Sequence, residues 1–578
     1  MDYKYLSEIL FPDVTMTEED LEARFPPRDL PEGAKVTRFA PSPTGYVHFG
    51  GLFPATVGER LAHQSGGVFY LRIEDTDARR EVEGAAEALK VTLANYGIFF
   101  DEGEIAGGDL GEESFSVGAY GPYRQSKRAD IYHVYAKRLV ADGRAYPVFS
   151  TDEELDELKS VDKKAEIKSV DWEADGAARR EAMLARRNFT IDEVERELAA
   201  GHKFALFAIA SGDGERRVKV NDLVRGDLDL PENDEDVVLL KSDGIPTYHF
   251  AHVVDDHLMR TTHVIRGEEW LPSLPKHLQL FSYLGWRAPK YIHISQLMKL
   301  DENGSKKKLS KRDMGANLDD YRKLGYCPQA VTEYVMTLLN SNYEEWRAQN
   351  PDKPYTDFPF NIKKMSSSGC LFDMNKLNDV TKNVVSRMTA DEVFAEFDAW
   401  AREYDPEFYG IFAEGHDWND DESRIKWERS VDYALSIINI GRGGKKPRKD
   451  YGTWVELRNY MAPFYDETFR VEDEYPENVD KADIKAALSM FAETYSTDDD
   501  SNAWFEKIKA ICEPLGYCPD MKQYRSAPDQ YRGSVADISM MIRVAVTGRL
   551  NSPDLYTVMH ILGETRVLNR IRDMINKL

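Results

Sequence analysis

The sequence contains little cysteine, and its cysteines form no metal-binding pattern. Four of the 578 residues are cysteines, namely Cys327, Cys370, Cys512 and Cys518. No two of them form a Cys-x-x-Cys pair, and no histidine stands beside Cys512 or Cys518. These spacings disfavour a zinc site, so the sequence predicts buried or inert thiols in a reducing compartment.

Long hydrophobic runs are also missing. No uninterrupted apolar stretch approaches the ~18 residues that a membrane-spanning helix needs. The N-terminal segment carries Asp2 and Glu8 and lacks the basic, apolar and small-residue order of a secretion signal. We therefore expect a cytoplasmic protein that does not bind a membrane.

Positive charge is scarce, because 75 lysines and arginines stand against 101 aspartates and glutamates, for a net charge of −26. An acidic surface disfavours nucleic acid, but a large enzyme can be acidic overall and keep one basic face. The length and a hydrophobic content of 42% predict a globular chain with several domains. Basic residues that cluster beside the chemistry therefore matter more than the overall charge.

Strands and helices alternate in the first part of the chain. After a leader in which Tyr5, Leu6, Ile9 and Leu10 share one helical face, the pattern predicts strands over 36–40 and 68–73 and helices over 52–63 and 82–96. This alternation predicts a doubly wound, Rossmann-like α/β domain. Residues 150–204 are charged and predicted to be helical, and a helical period dominates from residue 315 to the C-terminus.

Glycine and histidine mark the loop between the first strand and the first long helix. The loop reads Pro41-Ser42-Pro43-Thr44-Gly45, and His48-Phe49-Gly50-Gly51 follows it. The glycines allow a ligand to approach the backbone, and the helix that follows directs its free amides and the positive end of its dipole at that ligand. This arrangement is typical of phosphate binding, with His48 as a further donor. The alternative is a glycine-rich turn beside a core histidine.

A basic cluster lies much further along the chain. Segment 306–312 contains five cations, Lys306, Lys307, Lys308, Lys311 and Arg312, and follows a polar loop. Such a loop can close over a polyphosphate and stabilise the charge that develops as pyrophosphate leaves. Taken alone, the segment is equally well explained as a solvated basic loop.

Together the two segments resemble the nucleotide-binding signatures of class I aminoacyl-tRNA synthetases. Further motifs occur in the expected order at 71–77, 121–126, 239–244, 246–251, 253–257 and 264–270. Over residues 36–377 the chain resembles bacterial-type glutamyl-tRNA synthetase. The resemblance implies a glutamate–tRNA ligase that converts L-glutamate and ATP to glutamyl-adenylate and transfers the glutamyl group to the 3′-terminal adenosine of tRNA(Glu).

The resemblance also implies a domain order. It comprises a leader (1–35), the first half of the Rossmann-like catalytic domain (36–122), an inserted α+β domain for the tRNA acceptor end (123–240), the second catalytic half with the Lys-Leu-Ser-Lys-Arg loop (241–315), a helical stem-contact domain (316–390) and an all-α anticodon-binding region (391–578). Some relatives carry a zinc cluster in the inserted region. No cysteine occurs between residues 123 and 240, so no zinc is expected.

The substrate side chain is a carboxylate, and the planar fork of arginine can bind both of its oxygens. The resemblance places seven residues around glutamate: Arg38, Ala40, Ser42, Glu74, Tyr248, His252 and Arg266. Glu74 would face the α-ammonium group. His252 stands where many relatives have asparagine, although imidazole can also donate a hydrogen bond. The alternatives are packing for Tyr248 and structural ion pairs for the two arginines.

The same resemblance implies an ATP site and a mechanism without a side-chain nucleophile. ATP would contact His48, Gly51, Glu269, Leu297, Met298, Lys308 and Lys311, of which His48, Lys308 and Lys311 would be catalytic. The glutamate α-carboxylate attacks the α-phosphorus directly. Catalysis then consists of positioning and charge stabilisation with Mg²⁺.

The C-terminal region would read the anticodon. Its best basic patch contains Arg442, Lys445, Lys446 and Arg448, and the nearby Tyr451, Trp454 and Tyr460 are candidate stacking platforms. A solubilising loop explains the patch equally well. We expect the chain to act as a monomer on tRNA(Glu), with discrimination against tRNA(Gln) left open.

Four alternatives are weighed against this prediction. Glutaminyl-tRNA synthetases usually show Phe-Asp-Asp-Thr-Asn where this chain has Ile-Glu-Asp-Thr-Asp at 73–77, and they end in β-barrels. A truncated paralogue that glutamylates a modified nucleoside would stop before the helical region. An inactive tRNA-binding scaffold would have lost His48, Lys311 or Arg266, and a P-loop ATPase would show Gly-x-x-x-x-Gly-Lys-Ser/Thr.

Overall fold

The computed structural model describes residues 1–43, 45, 47–77, 82–106, 115–149, 181, 184–301, 303–308, 317–413, 421–444 and 446–578, of which 421–429 are described by their backbone alone. Two compact units divide the chain. The first consists of Met1–Asp320 and Val335–Asp373, and the second of Tyr321–Tyr334 and Met374–Leu578. The finer division into six domains stays a prediction.

Fourteen strands are present in the described residues. They are β1 (Val36–Phe39), β2 (Val68–Leu71), β3 (Glu102–Ala106), β4 (Phe115–Val117), β5 (Ala145–Val148), β6 (Ala205–Ala208), β7 (Arg217–Asp222), β8 (Gly226–Pro231), β9 (Val237–Leu240), β10 (His263–Gly267), β11 (Lys290–Ile294), β12 (Leu297–Leu300), β13 (Lys306–Lys308) and β14 (Cys370–Leu371).

The helices of the first part of the chain are α1 (Tyr3–Leu10), α2 (Glu18–Arg24), α3 (Phe49–His63), α4 (Ala85–Asn95), α5 (Ala129–Ala141), α6 (Ile191–Ala199), α7 (Tyr248–Leu258), α8 (Leu274–Tyr283), α9 (Leu318–Lys323), α10 (Pro328–Leu339) and α11 (Tyr343–Gln349). Those that follow are α12 (Met374–Arg387), α13 (Ala390–Tyr404), α14 (Pro406–Phe412), α15 (Asp421–Ile438), α16 (Trp454–Met461), α17 (Lys481–Thr494), α18 (Ser501–Leu515), α19 (Met521–Ser526), α20 (Val535–Thr547), α21 (Leu555–Leu562) and α22 (Glu564–Lys577).

Parallel strands form the centre of the first unit. β1 pairs in parallel with β2 and β2 with β3, while β10 pairs in parallel with β11. The backbone N–H of Thr262 donates to the Val36 carbonyl (2.9 Å), which places β10 on the free side of β1. The strand order therefore reverses at β1, and the predicted doubly wound α/β fold is confirmed. In such folds ligands bind beyond the carboxyl ends of the strands where the order reverses.

The leader is part of this unit's core. α1 packs on α5, and Leu6, Leu10, Leu21 and Phe25 are all buried. The predicted apolar face of α1 is correct for Leu6 and Leu10. It is wrong for Tyr5, which is 46% exposed because its hydroxyl instead donates to Glu195 (2.5 Å) on the surface.

The insertion is built on a small antiparallel sheet, β5-β6-β9. Most of the charged stretch predicted to be helical, including all of 150–180, lies outside the described residues. The described remainder contains α6, which begins with a capping box between Thr190 and Glu193. The predicted helix is thus confirmed over Ile191–Ala199.

The second unit is helical, as the sequence predicts. Its apolar core is continuous and draws on α12 to α22, with Phe397, Trp454, Leu488, Ile542 and Ile571 among its buried side chains. None of the described helices is long and apolar enough to cross a membrane.

Candidate functional site

The N-terminus of α3 opens toward the carboxyl end of β1. His48 occupies the N-cap position, its side chain does not cap the helix, and no acidic residue lies in the first turn. A Cβ on Gly50 would lie 3.0 Å from His48 Nδ1, so glycine makes room there for the imidazole. Gly51 is partly exposed one residue further on. The Gly51 amide donates to the His48 carbonyl (2.7 Å), so the positive end of the α3 dipole, rather than that amide, would attract an anion.

The loop that joins β1 to α3 holds two of the predicted glutamate contacts. Ala40 is partly exposed and Ser42 is exposed. The carbonyl of Pro41, between them, accepts from the backbone N–H of Glu74 (3.0 Å), just beyond the end of β2. The loop and Glu74 thus meet at one edge of the sheet.

Arg38 and Glu74 belong to a buried ion-pair network in the same place. Arg38 Nε donates to Asp256 Oδ1 (3.2 Å), and Arg72 lies between Asp256 (2.7 Å) and Glu74 (3.0 Å). Burial raises the pKa of the Glu74 carboxyl, although the neighbouring Arg72 and Arg38 oppose this shift. The positive charge of Arg38 is therefore already balanced by Asp256.

Arg266 lies at the end of β10 in a different environment. Its Nε donates to His293 Nε2 (2.9 Å), its Nη1 donates to His277 Nδ1 (3.1 Å), and the Tyr248 hydroxyl lies 3.5 Å away. Among the described residues no carboxylate is within ion-pair distance of this guanidinium, and its Nη2 is buried without a hydrogen-bond partner. A buried cation with an unused donor favours the approach of an anion.

His252 lies beneath Tyr248, and a polar atom lies close to each of its ring nitrogens. Nδ1 lies 2.6 Å from Asp256 Oδ2, and Nε2 lies 3.1 Å from the Tyr291 hydroxyl. The His252 and Tyr248 rings stack with their centroids 5.7 Å apart. The contact of His252 with glutamate stays a prediction. In this structure its ring also packs against Tyr248.

A β-hairpin brings together three of the predicted ATP contacts. In the pairing of β12 with β13, Met298 lies opposite Lys308, and Leu297 is the buried residue beside Met298. Lys308 is exposed at the end of the hairpin. Glu269 follows Arg266 closely in sequence and is exposed. Its Oε2 accepts from Gln296 Nε2 (3.4 Å). Lys311 lies outside the described residues.

Comparison with known proteins decides the family. Residues 35–379 match the model of tRNA synthetases class I (E and Q), catalytic domain, and residues 531–575 match an anticodon binding domain. A glutamate–tRNA ligase of Acetivibrio thermocellus is 46% identical over 577 residues, with 100% of both chains covered. One from Clostridium perfringens strain 13 is 44% identical over 576 residues, covering 99% of this chain and 100% of its own.

The chain belongs to the bacterial-type glutamate–tRNA ligases. A crystal structure of the glutamate–tRNA ligase of Elizabethkingia meningosepticum with its amino acid covers 94% of this chain and 99% of its own, with a TM-score of 0.67 and 27% identity. The predicted family is thus confirmed over the whole chain. None of these glutamate–tRNA ligases supports the glutaminyl-tRNA synthetase alternative.

The C-terminal unit of this glutamate–tRNA ligase uses the predicted basic patch differently from expectation. Arg442 donates to the carbonyls of Ile438, Val385 and Met388 and to the Tyr451 hydroxyl, so its guanidinium holds the helices together. Arg448 forms a bidentate pair with Asp450 (2.6 and 2.8 Å). Lys446 is exposed, and Lys445 lies outside the described residues.

The expected stacking platforms also need correction. Tyr451 is 6% exposed and Trp454 is 2% exposed, because both rings pack into the helical core. The prediction that they stack on RNA bases is therefore wrong. Tyr460, which is partly exposed, stays a prediction.

Sequence reasoning missed the residues that support Arg266. His277 and His293 occur in no motif, and nothing in their spacing relates them to Arg266. Asp256 lies within a motif that carried the resemblance, at 253–257, yet only its contacts with Arg38 and Arg72 reveal what it does.

Proposed function

We propose that this chain is a glutamate–tRNA ligase that activates L-glutamate with ATP and esterifies the 3′-terminal adenosine of tRNA(Glu). The proposal rests on membership of the family together with one feature of the site. That feature is the buried Arg266 guanidinium, which has a free Nη2 and no carboxylate partner in the described part of the chain. The side-chain carboxylate of glutamate supplies the missing anion.

Other predicted residues would complete the amino-acid site. Tyr248 lies beside Arg266. Glu74 lies beside Arg72 in the ion-pair network and would carry the negative charge that an α-ammonium group requires. Ala40 and Ser42 border the same edge of the sheet. Arg38 would act mainly through its pair with Asp256, which fixes the position of the strand end.

The ATP site would lie between the N-terminus of α3 and the β12–β13 hairpin. His48 and the amides beside Gly51 would bind phosphate oxygens, and Leu297 and Met298 would flank the adenine. Lys308 and Lys311 would stabilise the departing pyrophosphate. Glu269 would accept from a ribose or adenine donor.

Magnesium fits this site as an ion held mainly by substrate phosphates. The described residues contain no group of three or more His, Cys, Asp or Glu side chains arranged to bind a metal ion. Mg²⁺ commonly uses one or two carboxylates and the phosphates of its substrate rather than a protein cage. When bound, it would supply charge neutralisation at the phosphates.

The chemistry then needs no enzyme nucleophile. An α-carboxylate oxygen of glutamate attacks the α-phosphorus of ATP, an O–P bond forms, and the bond to pyrophosphate breaks. In the second step a ribose hydroxyl of the terminal adenosine attacks the activated carbonyl, loses its proton and displaces AMP. The chain's contribution is to align the reacting atoms and to stabilise the negative charge.

Partners and location follow from this function. The C-terminal unit would bind the anticodon stem and loop of tRNA(Glu), with Lys445, Lys446 and Arg448 as candidate contacts. We expect a monomer that acts in the cytoplasm.

Aminoacylation with labelled glutamate, ATP and Mg²⁺ tests the proposal, with tRNA(Glu) and tRNA(Gln) offered separately. Wild-type enzyme is expected to charge tRNA(Glu). Arg266→Gln is expected to lose activity by ~10-fold or more, because a charge-assisted contact with the substrate carboxylate is lost. Charging of tRNA(Gln) with glutamate as well would identify a non-discriminating enzyme.

Arg287→Gln is a matched control, because Arg287 is an exposed arginine of the same unit outside the site. It is expected to behave like wild type. Failure of the wild-type enzyme to transfer glutamate to either tRNA would overturn the proposed function.

A further inference from the structure

We propose that His277 and His293 are positioning residues that select glutamate over glutamine by presenting Arg266 as an unneutralised cation. Both imidazoles accept from the guanidinium as neutral groups, so they fix its orientation without balancing its charge. The full charge and the free Nη2 are left for the substrate side chain. This inference rests on the proposed function.

The protonation state of His293 follows from geometry. An arginine Nε–H can only donate, so the His293 Nε2 that lies 2.9 Å from it carries no proton. The proton is therefore on Nδ1, which donates to Asp222 Oδ2 (2.8 Å). Asp222 also accepts from the backbone N–H groups of Val224 and Arg225 at 3.0 and 2.9 Å. The ring is thus held in one tautomer and one orientation.

His277 is fixed in the same way. Its Nδ1 accepts from Arg266 Nη1 (3.1 Å), so its proton is on Nε2, which donates to His249 Nδ1 (2.9 Å). The hydrogen bonds therefore run in one direction, from Arg266 through His277 to the partly exposed His249. Burial lowers the pKa of His277 well below its usual value and that of His249 to about 4. Both rings are accordingly neutral at physiological pH.

Arg38 and Arg266, the two buried arginines of the pocket, differ in the charge of their hydrogen-bond partners. Arg38 is paired with the carboxylate of Asp256, whereas the two side chains that accept from Arg266 at about 3 Å are neutral imidazoles. A glutamine amide presents a donor as well as an acceptor and brings no charge. It therefore gains less than a carboxylate from an unneutralised guanidinium.

Replacement of His277 by two side chains of equal size separates orientation from charge. The substitutions His277→Asn and His277→Asp each place an oxygen near the position of Nδ1, but only the aspartate brings a negative charge. Kinetics of tRNA(Glu) charging give KM and kcat for L-glutamate, and L-glutamine serves as a competing amino acid. ATP KM and the thermal midpoint report on the fold.

His277→Asp is expected to raise the KM for glutamate by ~10-fold or more with kcat little changed, because the substrate carboxylate then meets a neutralised site. Inhibition by glutamine is expected to change little, so discrimination falls. His277→Asn is expected to stay close to wild type. Equal effects of the two variants on the KM for glutamate would overturn the inference.

A second pair of variants, at His293, tests the inference if the His277→Asp variant misfolds. His293→Gln keeps an acceptor near Nε2, whereas His293→Leu removes it. The leucine variant is expected to raise the KM for glutamate, and the glutamine variant is expected to restore it largely. Equal KM values for these two variants would also overturn the inference.

His263→Asn and His263→Asp are matched controls. His263 is 7% exposed at the start of the same strand as Arg266 and is separate from the site. Neither change is expected to alter the relative KM values of glutamate and glutamine. The wild-type assay separates the proposed function from the role of the histidines. If wild-type enzyme does not charge tRNA with glutamate, the proposed function is rejected. If it charges normally and the histidine variants do not change the KM for glutamate, only the role of the histidines is rejected.

Discussion

The carboxylate of Asp256 lies 2.7 Å from the guanidinium of Arg72, and both side chains are fully buried. Arg38 contacts the same carboxylate at 3.2 Å. Although burial opposes the shift, these two arginines hold the pKa of Asp256 well below its usual value. Asp256 thus links two cations at the edge of the sheet where glutamate is proposed to bind, and Glu74 supplies a further negative charge to Arg72.

Asp256→Asn is expected to destabilise the first unit by ~3–5 kcal/mol, because it leaves the buried Arg38 guanidinium without its carboxylate partner. Urea denaturation followed by hydrogen exchange of β1 and β2 would measure the change. Asp229→Asn is a suitable control, since the pair of Asp229 with Arg217 is largely exposed and contributes little. Equal stability of the two variants would contradict this account of the network.

Close packing of the turn before β2 makes Gly67 hard to replace. A Cβ at this position would lie 2.7 Å from the backbone nitrogen of Lys35 and closer still to its carbonyl oxygen. Gly67→Ala is expected to cost ~1–3 kcal/mol by overpacking. Gly410→Ala, in α14 with nothing within 4 Å of the added carbon, is expected to stabilise by ~0.5–1 kcal/mol. Thermal unfolding of both variants would test the contrast in sign.

The stability that His63 contributes depends on pH. Hydrogen bonds to Asp101 and Glu59 raise the pKa of His63 from 6.5 to about 9. Because the folded-state pKa is the higher one, the contribution is complete below pH 6.5 and is lost as the pH rises through 9. The difference in thermal midpoint between wild type and His63→Gln is therefore expected to be largest near pH 6 and to shrink toward pH 10. A difference that grows with pH would refute this assignment.

The thiols are expected to be unreactive in the native protein. All four cysteines are free and three of them are buried, which confirms the predicted burial for Cys327, Cys512 and Cys518. Burial raises the pKa of Cys327 to about 12 and that of Cys370 and Cys512 to about 11. Alkylation by iodoacetamide at pH 8 should therefore leave Cys327, Cys370 and Cys512 unmodified until urea is added. Rapid labelling of Cys370, the half-buried one, would be the informative exception.

Much of the fold was predictable from local patterns. The strands at 36–39 and 68–71 lie within two residues of their predicted bounds, and the helical C-terminal region is confirmed. Hydrophobic periodicity is a property of neighbouring residues, and burial on a parallel sheet or in a helical core reinforces it. Helix α3, predicted over 52–63, begins three residues earlier, at Phe49. His48 takes the N-cap position, and Gly50 and Gly51 are accommodated in the first turn.

Individual side chains in the C-terminal unit were less predictable. A run of basic residues in sequence suggests a basic surface, but Arg442 donates to backbone carbonyls at the end of α12 and Arg448 is paired with Asp450. Tyr451 and Trp454 read equally well as platforms or as core. The choice depends on which helix covers them, and that is settled by contacts between distant parts of the chain.

The sequence by itself determined the family and the doubly wound sheet, since motifs and periodicity are local and ordered along the chain. Only the tertiary structure decided which buried arginine is free to bind an anion. Arg38 and Arg266 are indistinguishable as letters in two motifs. Their difference arises because Asp256, distant in sequence, reaches one of them, while neutral histidines from α8 and β11 reach the other. Charge balance in a buried site is set by spatial neighbours, and only the fold brings these neighbours together.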